Sequence, residues 1–226
     1  LGKGTFGAVY TVRHGGCHRA LKVCSRAQYE YENDFKNNRL ECYREARVLQ
    51  ELGKHKNIIE MIQFLRTSSG DLGLVLELAR SGSLRENLES RTRVLDPLEV
   101  WKFWCQLLEG AKFMHTKGVV HLDLKPCNAV LFEDRVAICD FGSAMKAGDK
   151  VDRMKCTLWW RAPELYRVKR CDDGSLGLRP VAPAADIWSL GLIFADLVKA
   201  PNIGLLQGRD EMNQWQLSRG LARKAG

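Results

Sequence analysis

Three glycines open the chain as Gly2-x-Gly4-x-x-Gly7, just before the apolar pair Val9-Tyr10. Residues without a Cβ let backbone N–H groups approach phosphate oxygens closely. A dinucleotide-binding turn would place such glycines after a strand and at the start of a helix. Here a strand follows them, so the loop reads as a bridge between two strands lying over a nucleotide, with a plain glycine-rich hairpin as the alternative. A second candidate is Glu45. It falls with Cys42, Leu49 and Leu52 at the 3-4-3 spacing of one helical stripe, which places a carboxylate among apolar neighbours. Either it is buried and has a cationic partner, or it skirts the stripe with its end in water. His14, Cys17, His18 and Cys24 match no common zinc spacing, and the eight cysteines include no Cys-x-x-Cys pair, which points to reduced thiols.

These residues need elements to hold them. Strands over 9–13 and 19–24 flank Gly15-Gly16, a hairpin signal, and alternation puts Ala20 and Lys22 on one face with Leu21 and Val23 on the other. Residues 39–52 read as a helix stopped by Gly53, and 72–78 as a Leu- and Val-rich strand followed by a small-residue link over 79–83. Asp96-Pro97-Leu98-Glu99 supplies an N-cap, a first-turn proline and a capping glutamate, opening a helix to about residue 117 with Val100, Trp104, Leu107, Ala111 and Met114 on its core face. A last helix runs from 184 to 199 and stops before Pro201. Strands dominate the first eighty residues and helices the remainder, with no repeat or long linker between them, so two lobes of one domain are predicted.

Composition agrees with a globular chain: 226 residues, 45% apolar and 27% charged. The net charge of +8 is spread along the sequence and accompanies no nucleic-acid-binding signature, so no nucleic-acid partner is predicted. The most apolar stretch is broken by Asp186 and Asp196 and is too short for a membrane span, and no signal peptide is evident. Cytoplasm or nucleus is the expected compartment.

Order along the chain then decides the family resemblance. Gly2-Lys3-Gly4-Thr5-Phe6-Gly7-Ala8-Val9 is followed by Ala20-Leu21-Lys22 and Glu45. Next come His121-Leu122-Asp123-Leu124-Lys125-Pro126-Cys127-Asn128, Asp140-Phe141-Gly142 and Ala162-Pro163-Glu164. This set resembles the protein kinase family. The resemblance implies an α+β, bilobal kinase fold, with a smaller β-rich lobe over about 1–78, a hinge at about 77–83 and a mainly helical lobe over 84–226.

It also implies the cofactors ATP and Mg²⁺ and a role for each matching residue. Lys22 would hold the α- and β-phosphates and Glu45 would orient it, while Asn128 and Asp140 would bind the metal. Asp123 would accept the hydrogen bond of the substrate hydroxyl, and Lys125 would neutralise the transferring phosphoryl group. Leu1, Gly2, Gly4, Gly7, Val9, Ala20 and Val130 would enclose the nucleotide. The backbone of Glu77 and Ala79 would meet the adenine edge behind a gatekeeper, Leu76. The Lys125-Pro126 pair resembles the Ser/Thr form of the loop, so the acceptor is read as Ser or Thr.

Thr157-Leu158-Trp159-Trp160-Arg161 resembles the substrate-positioning segment of the cyclin-dependent kinase branch. Thr157 and Arg161 would thus favour protein substrates with Pro after the acceptor. Several positions depart from the family pattern. Leu122 replaces the usual Arg that binds an activation-loop phosphate, and Met145 falls where a second such Arg is expected. Asp152 stands where the branch has its phosphorylated Thr, so Arg44 facing Asp152 would be the remnant of that pocket, and Phe6 replaces an inhibitory Tyr. The helix around Glu45 shares only Arg44-Glu45 with a cyclin-contacting helix, which lends a cyclin-like partner little support. The chain begins inside a motif and stops 40 residues after Asp186, so it is read as a fragment that lacks the last helices and the Arg expected to pair with Glu164. A catalytically silent pseudokinase scaffold is the alternative reading.

Overall fold

The computed structural model describes residues 2–4, 7–25, 32–68, 70–151, 157–165, 169–170, 176–177 and 179–198. Five antiparallel strands form the first sheet: β1 (Gly2–Gly4), β2 (Gly7–His14), β3 (Cys17–Cys24), β4 (Met61–Arg66) and β5 (Leu72–Leu76), in the order β1-β2-β3-β5-β4. Gly15 and Gly16 have φ of +57° and +78°. Two successive left-handed residues are what a two-residue hairpin needs to match the twist of its strands, and glycine adopts them without a Cβ clash. The resulting register sets Val9 opposite Lys22 and Thr11 opposite Ala20. Because β3 also pairs with β5, Ala20 opposite Leu76 and Lys22 opposite Leu74, Lys22 stands on an interior strand.

Helix α1 (Glu32–Leu52) begins seven residues before the expected start at 39. Its first seven residues, Glu-Asn-Asp-Phe-Lys-Asn-Asn, carry no apolar stripe, so periodicity cannot reveal them. From Cys42 onward the stripe is as expected: Cys42, Glu45, Leu49 and Leu52 are all buried. The strand expected to reach 78 stops at Leu76. Beyond it Glu77 leaves the ladder and gives its N–H to Glu60 O at 3.0 Å.

Helix α2 (Leu84–Ser90) starts at a capping box between Ser83 and Glu86, and α3 (Pro97–Thr116) at one between Asp96 and Glu99. Val100, Leu107, Ala111 and Met114 of α3 are buried, with Trp104 half-buried at the core margin. Gly110 permits a close approach, since a Cβ there would stand 2.7 Å from Asn57 O. Short strands follow: β6 (Val119–Val120), β7 (Ala129–Leu131), β8 (Val136–Ile138) and β9 (Met145–Lys146), paired as β6 with β9 and β7 with β8. Helix α4 (Ala184–Val198) closes the described chain.

One apolar core runs from Leu74 of β5 through Leu49 and Leu52 of α1 to Leu107 and Met114 of α3 and Leu190 and Ile193 of α4. A second, smaller cluster gathers Val120, Leu122, Ala162, Val181 and Ala185. No helix of the described residues is long and apolar enough to cross a membrane.

Candidate active site

Lys22 Nζ lies 2.6 Å from Glu45 Oε2 and 2.7 Å from Asp140 Oδ1. Glu45 is buried, and its other oxygen accepts the Phe141 N–H at 3.3 Å. The open question about this carboxylate is thereby answered: it sits inside the apolar stripe with a cation and a backbone donor as partners. Burial alone would lower the Lys22 ammonium, but the Glu45 and Asp140 carboxylates outweigh it and hold the group above the ordinary lysine range. Burial dominates at Glu45 and pushes its carboxyl up against the pull of Lys22. At Asp140 burial works upward too, yet Lys22, with His121 and Lys125 beyond it, holds the carboxyl below its usual range.

Residues 121–128 form a loop fastened from below. Asp186, fully buried on α4, accepts the His121 N–H on Oδ2 (2.8 Å), the Leu122 N–H on Oδ1 (2.9 Å), and a bond from His115 Nε2 on Oδ2 (2.8 Å). His121 Nδ1 accepts the Asp123 N–H at 3.2 Å, which leaves Nε2 to donate to Cys139 O at 3.0 Å. Asp123 is gripped on both oxygens. Oδ1 accepts the Thr157 N–H (2.9 Å) and hydroxyl (2.6 Å), and Oδ2 accepts Lys125 Nζ (2.8 Å) and Asn128 Nδ2 (3.2 Å). Lys125 Nζ also donates to the Thr157 hydroxyl at 2.7 Å, so Asp123, Lys125 and Thr157 close a ring of charge-assisted bonds. Asn128 Nδ2 additionally meets Asp123 O at 2.8 Å, which commits its amide nitrogen and leaves Oδ1 as the oxygen for a ligand.

Of the residues expected to enclose the nucleotide, Val9 and Ala20 come from β2 and β3, Val130 from β7, and the expected gatekeeper Leu76 from the end of β5. Gly2, Gly4 and Gly7 lie in the β1–β2 hairpin, Gly2 opposite Val9 and Gly4 opposite Gly7. Glu77, its N–H committed to Glu60, can meet a ligand edge only through its carbonyl, whereas Ala79 keeps a main-chain N–H two residues on. Arg161 is buried beside the Trp160 turn. Arg44 Nη1 donates to Gly142 O at 2.9 Å. Leu1 and Asp152 lie outside the described residues, as do Thr5 and Phe6, so the pairing of Arg44 with Asp152 does too.

The protein kinase domain family matches residues 1–219. The chain belongs to the protein kinase family. Among curated relatives this kinase domain is similar to cyclin-dependent kinase 7 of Dictyostelium discoideum, 32% identical over 221 residues that cover 95% of the chain and 57% of the relative. It is also similar to cell division control protein 2 homolog 3 of Trypanosoma brucei brucei, 33% identical over 95% of the chain and 65% of the relative. The mitogen-activated protein kinase sty1 of Schizosaccharomyces pombe is 35% identical over 77% of the chain and 46% of that protein. The chain thus spans roughly half to two-thirds of the length of these relatives, which are kinases of the CMGC group. Among solved structures, the CAK complex from Chaetomium thermophilum bound to ATP-gamma-S superposes with a TM-score of 0.70 at 30% identity, covering 87% of this chain and 59% of that one.

Two residues, His115 and Arg135, escaped sequence reasoning, and Asp186 was noted there without its role as the acceptor that holds the 121–128 loop. Asp186 had a visible signal, a carboxylate within the most apolar stretch of the chain, but nothing local to α4 says that its partners are 64 and 65 residues away. Glu164, expected to be enclosed and in need of an Arg, is only half-buried.

Proposed function

We propose that this domain is an active ATP-dependent protein serine/threonine kinase. The observation that carries the reading is the assembly itself: Lys22 joined to both Glu45 and Asp140, and Asp123 held simultaneously by Lys125, Asn128 and Thr157. A pseudokinase scaffold would have no need of so many aligned polar groups at one cleft.

In this reading Lys22 meets the α- and β-phosphates of ATP, with Val9, Ala20 and Val130 about the adenine and Glu77 O and Ala79 N–H at its edge. The substrate hydroxyl gives its proton toward Asp123 as its oxygen bonds to the γ-phosphorus. The bond from that phosphorus to the β,γ-bridging oxygen breaks, ADP departs, and Lys125 faces the charge in transit. Asn128 Oδ1 and Asp140 offer two hard oxygens, and no cluster of three or more His, Cys, Asp or Glu among the described residues competes for a metal. That donor set fits Mg²⁺, which keeps several waters and phosphate oxygens among its ligands and supplies charge neutralisation when bound. Residues 1 to about 78 form the smaller lobe, 77–83 the hinge and the remainder the larger lobe.

Arg161 and Thr157, together with the similarity to cyclin-dependent and mitogen-activated kinases, favour protein substrates with Pro after the Ser or Thr, met in cytoplasm or nucleus. The test is Mg²⁺-ATP-dependent transfer to a Ser-Pro peptide and its Ser-Ala counterpart, with Asp123→Asn as control. Transfer to Ser-Pro alone, lost in the control, is expected. Equal transfer to both peptides overturns the specificity, and absence of transfer by a folded, ATP-binding chain overturns the enzyme.

A further inference from the structure

The β7–β8 hairpin grips the link between β5 and α2 at two places. On one side Ser81 N–H donates to Leu131 O (3.3 Å), Leu131 N–H donates to Gly82 O (2.8 Å), and an isolated bridge joins Ser83 to Val130. On the other side Arg135, in the hairpin turn, sends Nη2 to Glu77 Oε2 at 2.5 Å. The same guanidinium donates from Nη1 to Lys56 O at 2.8 Å and lies over the Phe132 ring, 3.8 Å from its centroid. Glu77 closes the circuit with a two-bond clasp on Glu60: its N–H donates to Glu60 O, and its Oε1 accepts the Glu60 N–H, each at 3.0 Å. Both oxygens of one hinge carboxylate are therefore engaged, one by the chain entering β4 and the other by the hairpin across the cleft.

The pair is mostly withdrawn from water, with side-chain exposures of 22% for Arg135 and 13% for Glu77, so it is screened less than a surface ion pair. A stacked guanidinium with two directed bonds also holds its geometry better than an ammonium on a flexible stem. Three attachments thus fix the orientation of Glu77, including the carbonyl that remains to it. Val130, proposed as the floor of the adenine site, stands five residues before Arg135 in the same hairpin. One small element therefore carries both the floor beneath the purine and the strut that holds the hinge edge beside it.

We infer that Arg135 is a positioning residue for the purine: through Glu77 it sets the height of the hinge edge above Val130, and so the fit of the adenine ring. The inference rests on the kinase reading of the cleft, and it assigns Arg135 no contact with the phosphates or with the transferred group.

The test measures adenosine and ATP affinity by calorimetry, steady-state kinetics on the Ser-Pro peptide, and the unfolding midpoint, for the full chain and for Arg135→Gln, Arg135→Lys, Glu77→Gln and Arg135→Gln combined with Glu77→Gln. Arg135→Gln is expected to weaken adenosine and ATP by the same factor, about three- to tenfold, the worth of about one net hydrogen bond. The KM for ATP should rise in step, with kcat at saturating ATP within about twofold of the parent. Arg135→Lys, which keeps the charge and loses the fork, should recover part of the loss and secures the result should the Gln variant fold poorly. The double variant should bind no more weakly than the worse single one, because the two act through one bond. Unchanged adenosine affinity in variants with the parent's unfolding midpoint, or a loss confined to kcat, overturns the inference and leaves the kinase reading standing. A parent chain that binds neither adenosine nor ATP overturns the kinase reading instead.

Discussion

The Leu122 backbone turns left-handed, φ +66°, with its N–H 2.9 Å from Asp186 Oδ1. A branched side chain in that region carries strain of about 1–2 kcal/mol, and it persists only where the surroundings over-determine it. Here a buried carboxylate takes the N–H groups of both His121 and Leu122 and leaves the loop no relaxed alternative. Replacing Asp186 by Asn keeps the shape but removes the charge and turns one acceptor into a donor facing other donors. A loss of about 2–4 kcal/mol in urea unfolding, with unchanged m, and a large fall in kcat are expected. A stability change under about 0.5 kcal/mol would mean that the carboxylate does not hold the loop.

Leu122 also bears on control by phosphate. Its side chain is only 3% exposed and packs with Val120, Ala162, Val181 and Ala185, against Met145. A phosphate brought against these apolar side chains would shed water and gain no charge partner from Leu122, a cost of several kcal/mol. Treatment of the purified kinase with a phosphatase is therefore expected to leave kcat/KM unchanged. Leu122→Arg should not install a switch but lower stability by roughly 2–4 kcal/mol, as an unpaired guanidinium among apolar groups. Activity that falls on dephosphorylation and returns on rephosphorylation would refute this.

Lys22 and Glu45 form the pair in which loss of one partner does most harm. Lys22→Met leaves a carboxylate 1% exposed without its cation, and an expected destabilisation of about 3–5 kcal/mol follows. Adding Glu45→Leu removes the more deeply buried of the two carboxylates that lose Lys22, Asp140 being the other, and should restore part of that stability, since an apolar pair of similar volume suits the stripe formed with Cys42, Leu49 and Leu52. Phosphate transfer should be lost in both variants. If thermal melts find the double variant no more stable than Lys22→Met, burial of the unpaired carboxylate is not what the single change exposes.

Legibility followed the range of the interactions. The glycine hairpin, the α3 cap and the 121–128 loop are encoded in short runs, and the kinase resemblance was legible in the order of the motifs from Gly2 to Glu164. Spacing along α1 is the same whether the Glu45 carboxylate turns inward or outward; the resemblance supplied its partner, Lys22, 23 residues away on another element, and the structure joins the two. The polar first turns of α1 left no apolar signal, whereas α2 did announce itself through Ser83 and Glu86, a capping pair that sequence reading passed over. Arg135 follows Glu133 and Asp134 in a turn, where three charges read as a solvated tip; its link to Glu77 spans 58 residues.

Acid should loosen the start of α3 in a defined window. The Arg93 guanidinium, aided by the Asp96 N–H, holds the half-buried Glu99 carboxyl down at about 2 against an ordinary 4.5. Arg93 reaches both oxygens, at 2.6 and 2.7 Å, and the Asp96 N–H donates at 2.9 Å. A carboxyl whose folded value lies below its unfolded one adds stability that is complete above the unfolded value and is lost as pH falls through the folded one. Protection of the Asp96 amide, which donates to the Glu99 carboxylate, should therefore decline between about pH 4.5 and 2, and Arg93→Gln should move that decline to higher pH. Carboxyl titration by NMR checks the first statement and amide exchange the second; a Glu99 midpoint near 4.5 in the parent chain would show that the Arg93 bridge does not persist in solution.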